Sequence, residues 1–133
     1  PTKHGPEFNA YLKKANIFLH PSTTTEQNDK EGIPGAIVEA MASGLPVIAT
    51  WHGGIPSVIT DGTTGFLVKE NDSDDIARII TNLYRDEHLR KTIGTNAARF
   101  AQENLDMFEK GKLLKEIYDA VAPKPKKSLK TQA

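Results

Sequence analysis

Two carboxylates, Glu31 and Glu39, lie eight positions apart in the stretch "KEGIPGAIVEAMASGLPVIAT", on either side of a Gly-Ile-Pro-Gly bend. The apolar run after the bend ends at Gly44, where a helix cap is expected, so "AIVEAMAS" reads as a helix. Gly35 and Ala36 then offer backbone N–H groups at the helix start, where unpaired amides and the dipole favour negative charge; Pro34 has none to offer. Glu39 falls about one turn into that helix, between Val38 and Ala40. Its carboxylate is expected to be partly buried and so to need hydrogen-bonding partners. A carboxylate accepts two hydrogen bonds side by side, which suits the vicinal hydroxyls of a ribose. Glu31, before the bend, would sit at the other end of such a ligand. Taken singly, each glutamate also reads as a solvated or salt-bridged face residue, and residue types alone leave the ligand unnamed.

Other chemistries find less support. The chain has no cysteine, which excludes disulfides and thiolate metal sites and fits a reducing compartment. Its four histidines, His4, His20, His52 and His88, are far apart, and no pair has the spacing of two ligands on one helix. No metal or other cofactor is expected. His20, following a strand, and His52, in "WHGG", read as loop residues with satisfied backbone partners, and Trp51 as a packing residue. Basic and acidic residues balance at 17 each, so there is no global field to attract nucleic acid. Residues 123–133 hold four lysines and no acid and read as a solvated, disordered tail; residues 1–122 retain 13 basic and 17 acidic residues, net −4. No apolar run approaches the ~20 residues needed to span a bilayer, and "PTKHGPEF" is unlike a signal peptide.

The elements that must position the glutamates follow from periodicity. "FNAYLKKA" reads as a short helix, "NIFLHPS" as a strand stopped by Pro21, and "STTTEQNDKEG" as a polar loop leaving the carboxyl end of that strand. "LPVIAT" is a second strand, "IPSVIT" a helical turn or two, "DGTTG" a turn whose Gly62 and Gly65 are structural, and "FLV" a third strand. Ser73 is the expected N-cap of a helix that puts Ile76, Ile79, Ile80 and Leu83 on one face. Two further helices are read from "EHLRKTIGTNAARFAQEN" and "LDMFEKGKLLKEIYDAV". Alternating strands and helices with short connections predict an α/β domain, a parallel sheet flanked by helices. Three strands alone are too few for a sheet buried on both faces, and the series is expected to start partway through a longer βα succession.

The stretch from Phe18 to Val68 resembles the donor-binding half of the retaining, nucleotide-sugar-dependent glycosyltransferases with two Rossmann-like domains, the GT-B fold (family 4, group 1). The resemblance is carried by "FLHPS", "EGIPGAIVEAMASGLPVIAT", "GGIPSVITDGTTGFLV" and "NDSDDIARII", in order and with matching spacing over most of residues 6–105. The wording "EGIP" and "HGGIP" looks most like bacterial exopolysaccharide and lipopolysaccharide enzymes of the colanic-acid type.

The resemblance implies a Rossmann-like, partial C-terminal domain of a GT-B fold over residues 1–122, lacking its first βα units and ending in C-terminal helices. It implies that Glu39 binds the ribose hydroxyls of a nucleotide-sugar donor. Glu31 would contact the donor sugar and steady charge as the glycosidic bond breaks, a catalytic role. Gly32, Ile33, Pro34, Gly35 and Ala36 would form the loop whose amides reach the sugar and diphosphate. The acceptor, a saccharide or lipid-linked saccharide, would be held by an N-terminal domain, with the intact enzyme cytoplasmic or peripheral to the inner face of the plasma membrane. Gly35 and Ser57 depart from the family pattern. The Arg and Lys that clamp the diphosphate, and the acceptor domain, have no counterpart in these residues, so the chain alone is expected to turn over little or no substrate. The alternative is a non-catalytic, truncated module that binds a nucleotide sugar or serves in assembly.

Overall fold

The computed structural model describes residues 5–28 and 32–105. Glu31, the helix read over 105–121 beyond Leu105, and the lysine-rich stretch 123–133 lie outside the described residues. The order is α1 (Gly5–Lys14), β1 (Phe18–His20), α2 (Gly35–Ala42), β2 (Val47–Thr50), a 3-10 turn (Ile55–Ser57), β3 (Phe66–Val68), α3 (Ser73–Arg85) and α4 (Glu87–Asn104). Among the described residues the strands form one sheet in the order β1-β2-β3, both pairings parallel, with Leu19 opposite Ile48 and Ile48 opposite Phe66. This is the predicted α/β arrangement.

Each strand is short because a turn former follows it: Pro21 after β1, the Gly53-Gly54 pair after β2, and Asn71, at a positive φ of 62°, after β3. Parallel strands need crossover connections, and here they are α2 and the 3-10 turn with its loops. Both faces of the sheet are covered, contrary to the expectation that three strands could not be buried on both sides. Val47, Ala49 and Leu67 pack with Ile37, Ala40 and Met41 of α2 and with Ala97 and Ala101 of α4. Ile48 and Val68 point the other way, against Ile79 and Leu83 of α3, with Ile76 and Ile80 at the margin. All four residues of β2 are buried. The helices make this possible: α3 shields the second face with isoleucines that recur at helical spacing, and Leu89 of α4 packs beside them. Fully burying a side chain such as Ile37 stabilises the fold by about 1.5–3 kcal/mol.

Two caps decide where the site helices begin and end. Gly44 has φ +79°, its N–H donates to the Met41 carbonyl, and the Leu45 N–H reaches back to the Ala40 carbonyl, which is the paired arrangement that ends α2. At α3 the cap is Asp72, whose Oδ1 accepts from the Asp75 N–H at 3.0 Å, so Ser73 is the first helical residue rather than the cap. In "NDSDD" either residue can cap by type; backbone conformation selected the aspartate.

Candidate functional site

In a parallel sheet all strands end on the same side, and the loops leaving those ends form the usual place for a ligand. Here the carboxyl ends of β1, β2 and β3 lead to residues 21–28, 51–54 and 69–72, and α2 begins beside them at Gly35. Of the residues expected to bind donor, Gly32, Ile33, Pro34, Gly35, Ala36 and Glu39 are described and contiguous along this edge.

Pro34 occupies the N-cap of α2 with φ −62° and ψ 127°, and no side-chain hydrogen bond caps the helix among the described residues. The first N–H groups of the helix therefore remain directed at whatever lies beyond its end. Gly32, Ile33 and Gly35 are exposed, and Pro34 and Ala36 half-buried. Glu39 differs from expectation. Its side chain is exposed rather than partly buried, and it makes no hydrogen bond or ion pair with another described residue. The buried stripe of α2 is Ile37, Ala40 and Met41, whereas Glu39 shares its face with Ala36 and Ser43. Helical side chains lean toward the helix N-terminus, so the carboxylate lies over the first turn and toward the loop edge.

The 51–54 turn supports this loop from behind. The Gly54 N–H donates to the Gly32 carbonyl at 3.3 Å. A Cβ on Gly54 would stand 3.0 Å from Gly32 C and 3.2 Å from Ile33 Cγ1, so only glycine lets the two segments touch without displacement. Ser57 closes the 3-10 turn by donating from Oγ to the Gly54 carbonyl at 2.6 Å. Trp51, expected to be packed, is 56% exposed at the same edge.

The largest addition to the expected site is a polar cluster. His52 is buried, and its Nδ1 lies 2.8 Å from Glu70 Oε1. Thr24 donates twice to the same carboxylate, from its N–H to Oε2 at 2.9 Å and from Oγ1 to Oε1 at 2.8 Å. An ionised carboxylate only accepts, so the imidazole carries its proton on Nδ1. Next to this cluster the buried Thr50 donates from Oγ1 to the Ser22 carbonyl at 2.6 Å. His52 was expected to be a loop residue with satisfied backbone partners; its ring is held instead by a side chain eighteen positions away. His20 is the last residue of β1 rather than part of the loop, and its ring stacks with Phe18 at a centroid distance of 6.3 Å. Thr24 and Glu70 were not singled out from sequence. The signal available was positional: Glu70 stands two residues past the carboxyl end of "FLV", the same edge as the glutamate pair.

The Thr24 N–H above all, then the hydrogen bonds from His52 and Thr24 Oγ1, hold the Glu70 carboxyl down from 4.5 to about 2. A folded value below the unfolded one means that the carboxylate contributes stability fully above pH 4.5, and that this contribution is lost as pH falls through about 2. Acid unfolding of wild type and Glu70→Gln should therefore diverge above pH 4.5 and converge toward pH 2. Parallel curves over that window would contradict the assignment.

The "DGTTG" turn is structural, as expected: Asp61 Oδ1 accepts from the Leu67 N–H at 2.9 Å, and the Gly62 N–H donates to the Gly65 carbonyl. A cavity of about 260 Å³ between Asp61, Phe66 and Arg78 opens at the amino end of β3, away from these loops. Among the described residues no three His, Asp or Glu side chains converge as a metal site requires, and no helix is long and apolar enough to cross a membrane.

Residues 2–100 match the family profile described as glycosyl transferases group 1. WcaL of Salmonella typhimurium, a glycosyltransferase named for colanic acid biosynthesis, is 44% identical over 86 residues, covering 65% of this chain and 21% of the relative. The amylovoran biosynthesis glycosyltransferase AmsK of Erwinia amylovora is 46% identical over 81 residues, covering 61% and 20%. The chain thus spans about a fifth of the length of these curated relatives. Among solved structures, Anabaena HepE in complex with UDP-glucose superposes with a TM-score of 0.78 at 26% identity, over 88% of this chain and 31% of that one. The likeness places the sheet and helices described above among Rossmann-like domains of the GT-B type.

Proposed function

The chain belongs to the group 1 glycosyl transferases, and from that premise we propose that it supplies the nucleotide-sugar-binding part of an enzyme that transfers a sugar to a saccharide or lipid-linked acceptor. The observation that carries the reading is Glu39: an exposed carboxylate without a partner among the described residues, one turn into a helix whose uncapped N-terminus opens at the carboxyl edge of the sheet. In this reading Glu39 accepts the two ribose hydroxyls, while the amides of Gly35 and Ala36, with the backbone of Gly32 and Ile33, face the sugar and diphosphate. A developing negative charge on the leaving diphosphate is favoured at such a helix end. Glu31 is assigned to the sugar end, steadying positive charge at the anomeric carbon through an oxocarbenium-like transition state, with anomeric configuration retained. No cofactor belongs to this reading.

HepE, crystallised with UDP and with UDP-glucose, supports the choice of a nucleotide sugar as ligand class, and the polysaccharide enzymes among the relatives support a role in polysaccharide or glycoconjugate biosynthesis. The intact enzyme is placed in the cytoplasm, with acceptor binding and any peripheral membrane contact assigned to a separate N-terminal domain. The diphosphate clamp is also assigned outside these residues, so the chain alone binds donor without appreciable turnover.

Calorimetric titration of the chain with UDP-, GDP- and ADP-glucose tests the reading. One of them is expected to bind saturably, with a Kd between about 1 μM and 1 mM, the range of ordinary substrate constants. Absence of saturable binding to all three would instead indicate a non-catalytic assembly module.

A further inference from the structure

The His52–Glu70 pair behind the donor loop has no place in the chemistry proposed above. His52 is only 4% exposed, yet its ring is tied to a carboxylate that three donors hold in place. From the imidazole the connections run one way. The Ile55 N–H donates to the His52 carbonyl, which closes the turn that follows β2; the Gly54 N–H within it donates to the Gly32 carbonyl; and Gly54 backs onto Gly32 and Ile33 so closely that a methyl group there would push them aside. Gly32 and Ile33 lead directly into Pro34 and the first turn of α2. The position of the donor loop is thus set by a turn, and the turn is set by an anchored ring.

We infer that His52 and Glu70, completed by Thr24, are positioning residues of the donor site: Glu70 fixes the His52 ring, the ring fixes the 51–54 turn, and the turn holds Gly32 and Ile33 where a nucleotide sugar meets the helix end. The inference rests on the donor-site reading given above. A buried imidazole suits the task for a physical reason. It is rigid, with two side-chain torsions, and it offers a donor at a fixed distance from its backbone, so a carboxylate across the loop transmits its own position to the turn. Glu70 in turn receives two bonds from Thr24, and Thr24 lies in the loop that leaves β1. The cluster therefore locks together the loops leaving all three strands. Bonds of this kind contribute to affinity by ordering the site before the ligand arrives, without touching it.

The test uses the full chain and whichever of UDP, GDP and ADP the wild type binds. Glu70→Gln, His52→Leu and Thr24→Val each remove part of the lock, whereas His52→Asn keeps a donor near the place of Nδ1. Thr24 is exposed, so its variant is safe for folding even where a buried substitution is not. The nucleotide Kd is expected to rise about tenfold in Glu70→Gln and His52→Leu, less in Thr24→Val, and to return to within about twofold of wild type in His52→Asn. Amide exchange at Gly54, measured without ligand, should accelerate in the first three and recover in the fourth. A purely structural role would change melting temperature in every variant without this rescue and without selective exposure of the Gly54 amide. If wild type binds nucleotide and Glu70→Gln and His52→Leu bind it equally well, the positioning role is overturned while the donor site stands. If wild type binds none of the three nucleotides, the donor-site reading falls, and the positioning role with it.

Discussion

Glu39→Ala is expected to weaken donor binding by about 10- to 100-fold while leaving the fold as stable as before. A hydrogen bond to a charged group contributes about 1.5–3 kcal/mol, and in the proposed site an alanine would leave both ribose hydroxyls without their acceptor. The fold has little to lose at this position. The side chain is exposed, it makes no contact that the core uses, and Ile37, Ala40 and Met41 alone carry the packing of α2. Alanine is also the better helix former, so the melting temperature should stay level or rise slightly. Glu39→Gln, which keeps one acceptor oxygen and loses the charge, should fall between the two. The measurement is a paired one, donor affinity by titration and thermal stability by calorimetry on the same samples. Unchanged affinity in Glu39→Ala would remove Glu39 from the site; a loss of affinity matched by a loss of stability would show that the residue supports the fold instead.

The misjudged burial of Glu39 shows where the sequence is readable and where it is not. Flanking Val38 and Ala40 suggested an apolar setting, but in a helix neighbours at i±1 point elsewhere, and the surroundings are set at i±3 and i±4, which are the small or polar Gly35, Ala36, Ala42 and Ser43. The strands were legible because each is a short apolar run closed by a turn former, and α3 was legible because its isoleucines recur at helical spacing. The cap of α3 moved by one residue because Asp72 and Ser73 are both capping types. The Thr24–Glu70–His52 cluster was not legible. Its members are 46 and 18 positions apart, and nothing in local periodicity links them. Their common feature is that each follows the carboxyl end of a strand, which becomes meaningful only once the sheet is known to be parallel.

Gly94 is hidden in the same way, and its replacement should have the largest effect on stability. It lies inside α4, where glycine is less favourable than alanine by about 1 kcal/mol, so propensity alone predicts that Gly94→Ala stabilises the protein. Packing predicts the reverse. A Cβ at this position would stand 2.1 Å from the carbonyl oxygen of Gly44 and 3.5 Å from Pro46 Cδ. The nearest atom is backbone, in the turn that ends α2, and no rotamer change can move it aside. Either α4 withdraws or the cap of α2 is distorted, and overpacking of a close-packed interior costs about 1–3 kcal/mol even after relaxation. The expected result is a melting temperature lower by roughly 5–15 °C, measured by calorimetry. Gly44→Ala provides the contrast, because its Cβ would meet only the Gly94 carbonyl oxygen, at 3.9 Å; its cost is the positive φ of 79°, about 1 kcal/mol. A rise in melting temperature for Gly94→Ala would mean that helix propensity outweighs the contact. The consequence extends to the donor site, since α4 packs against α2 and α2 begins at the donor loop. A displaced α4 removes the support that fixes the helix whose first turn is proposed to meet the diphosphate, so the same variant should bind nucleotide more weakly even below its melting temperature.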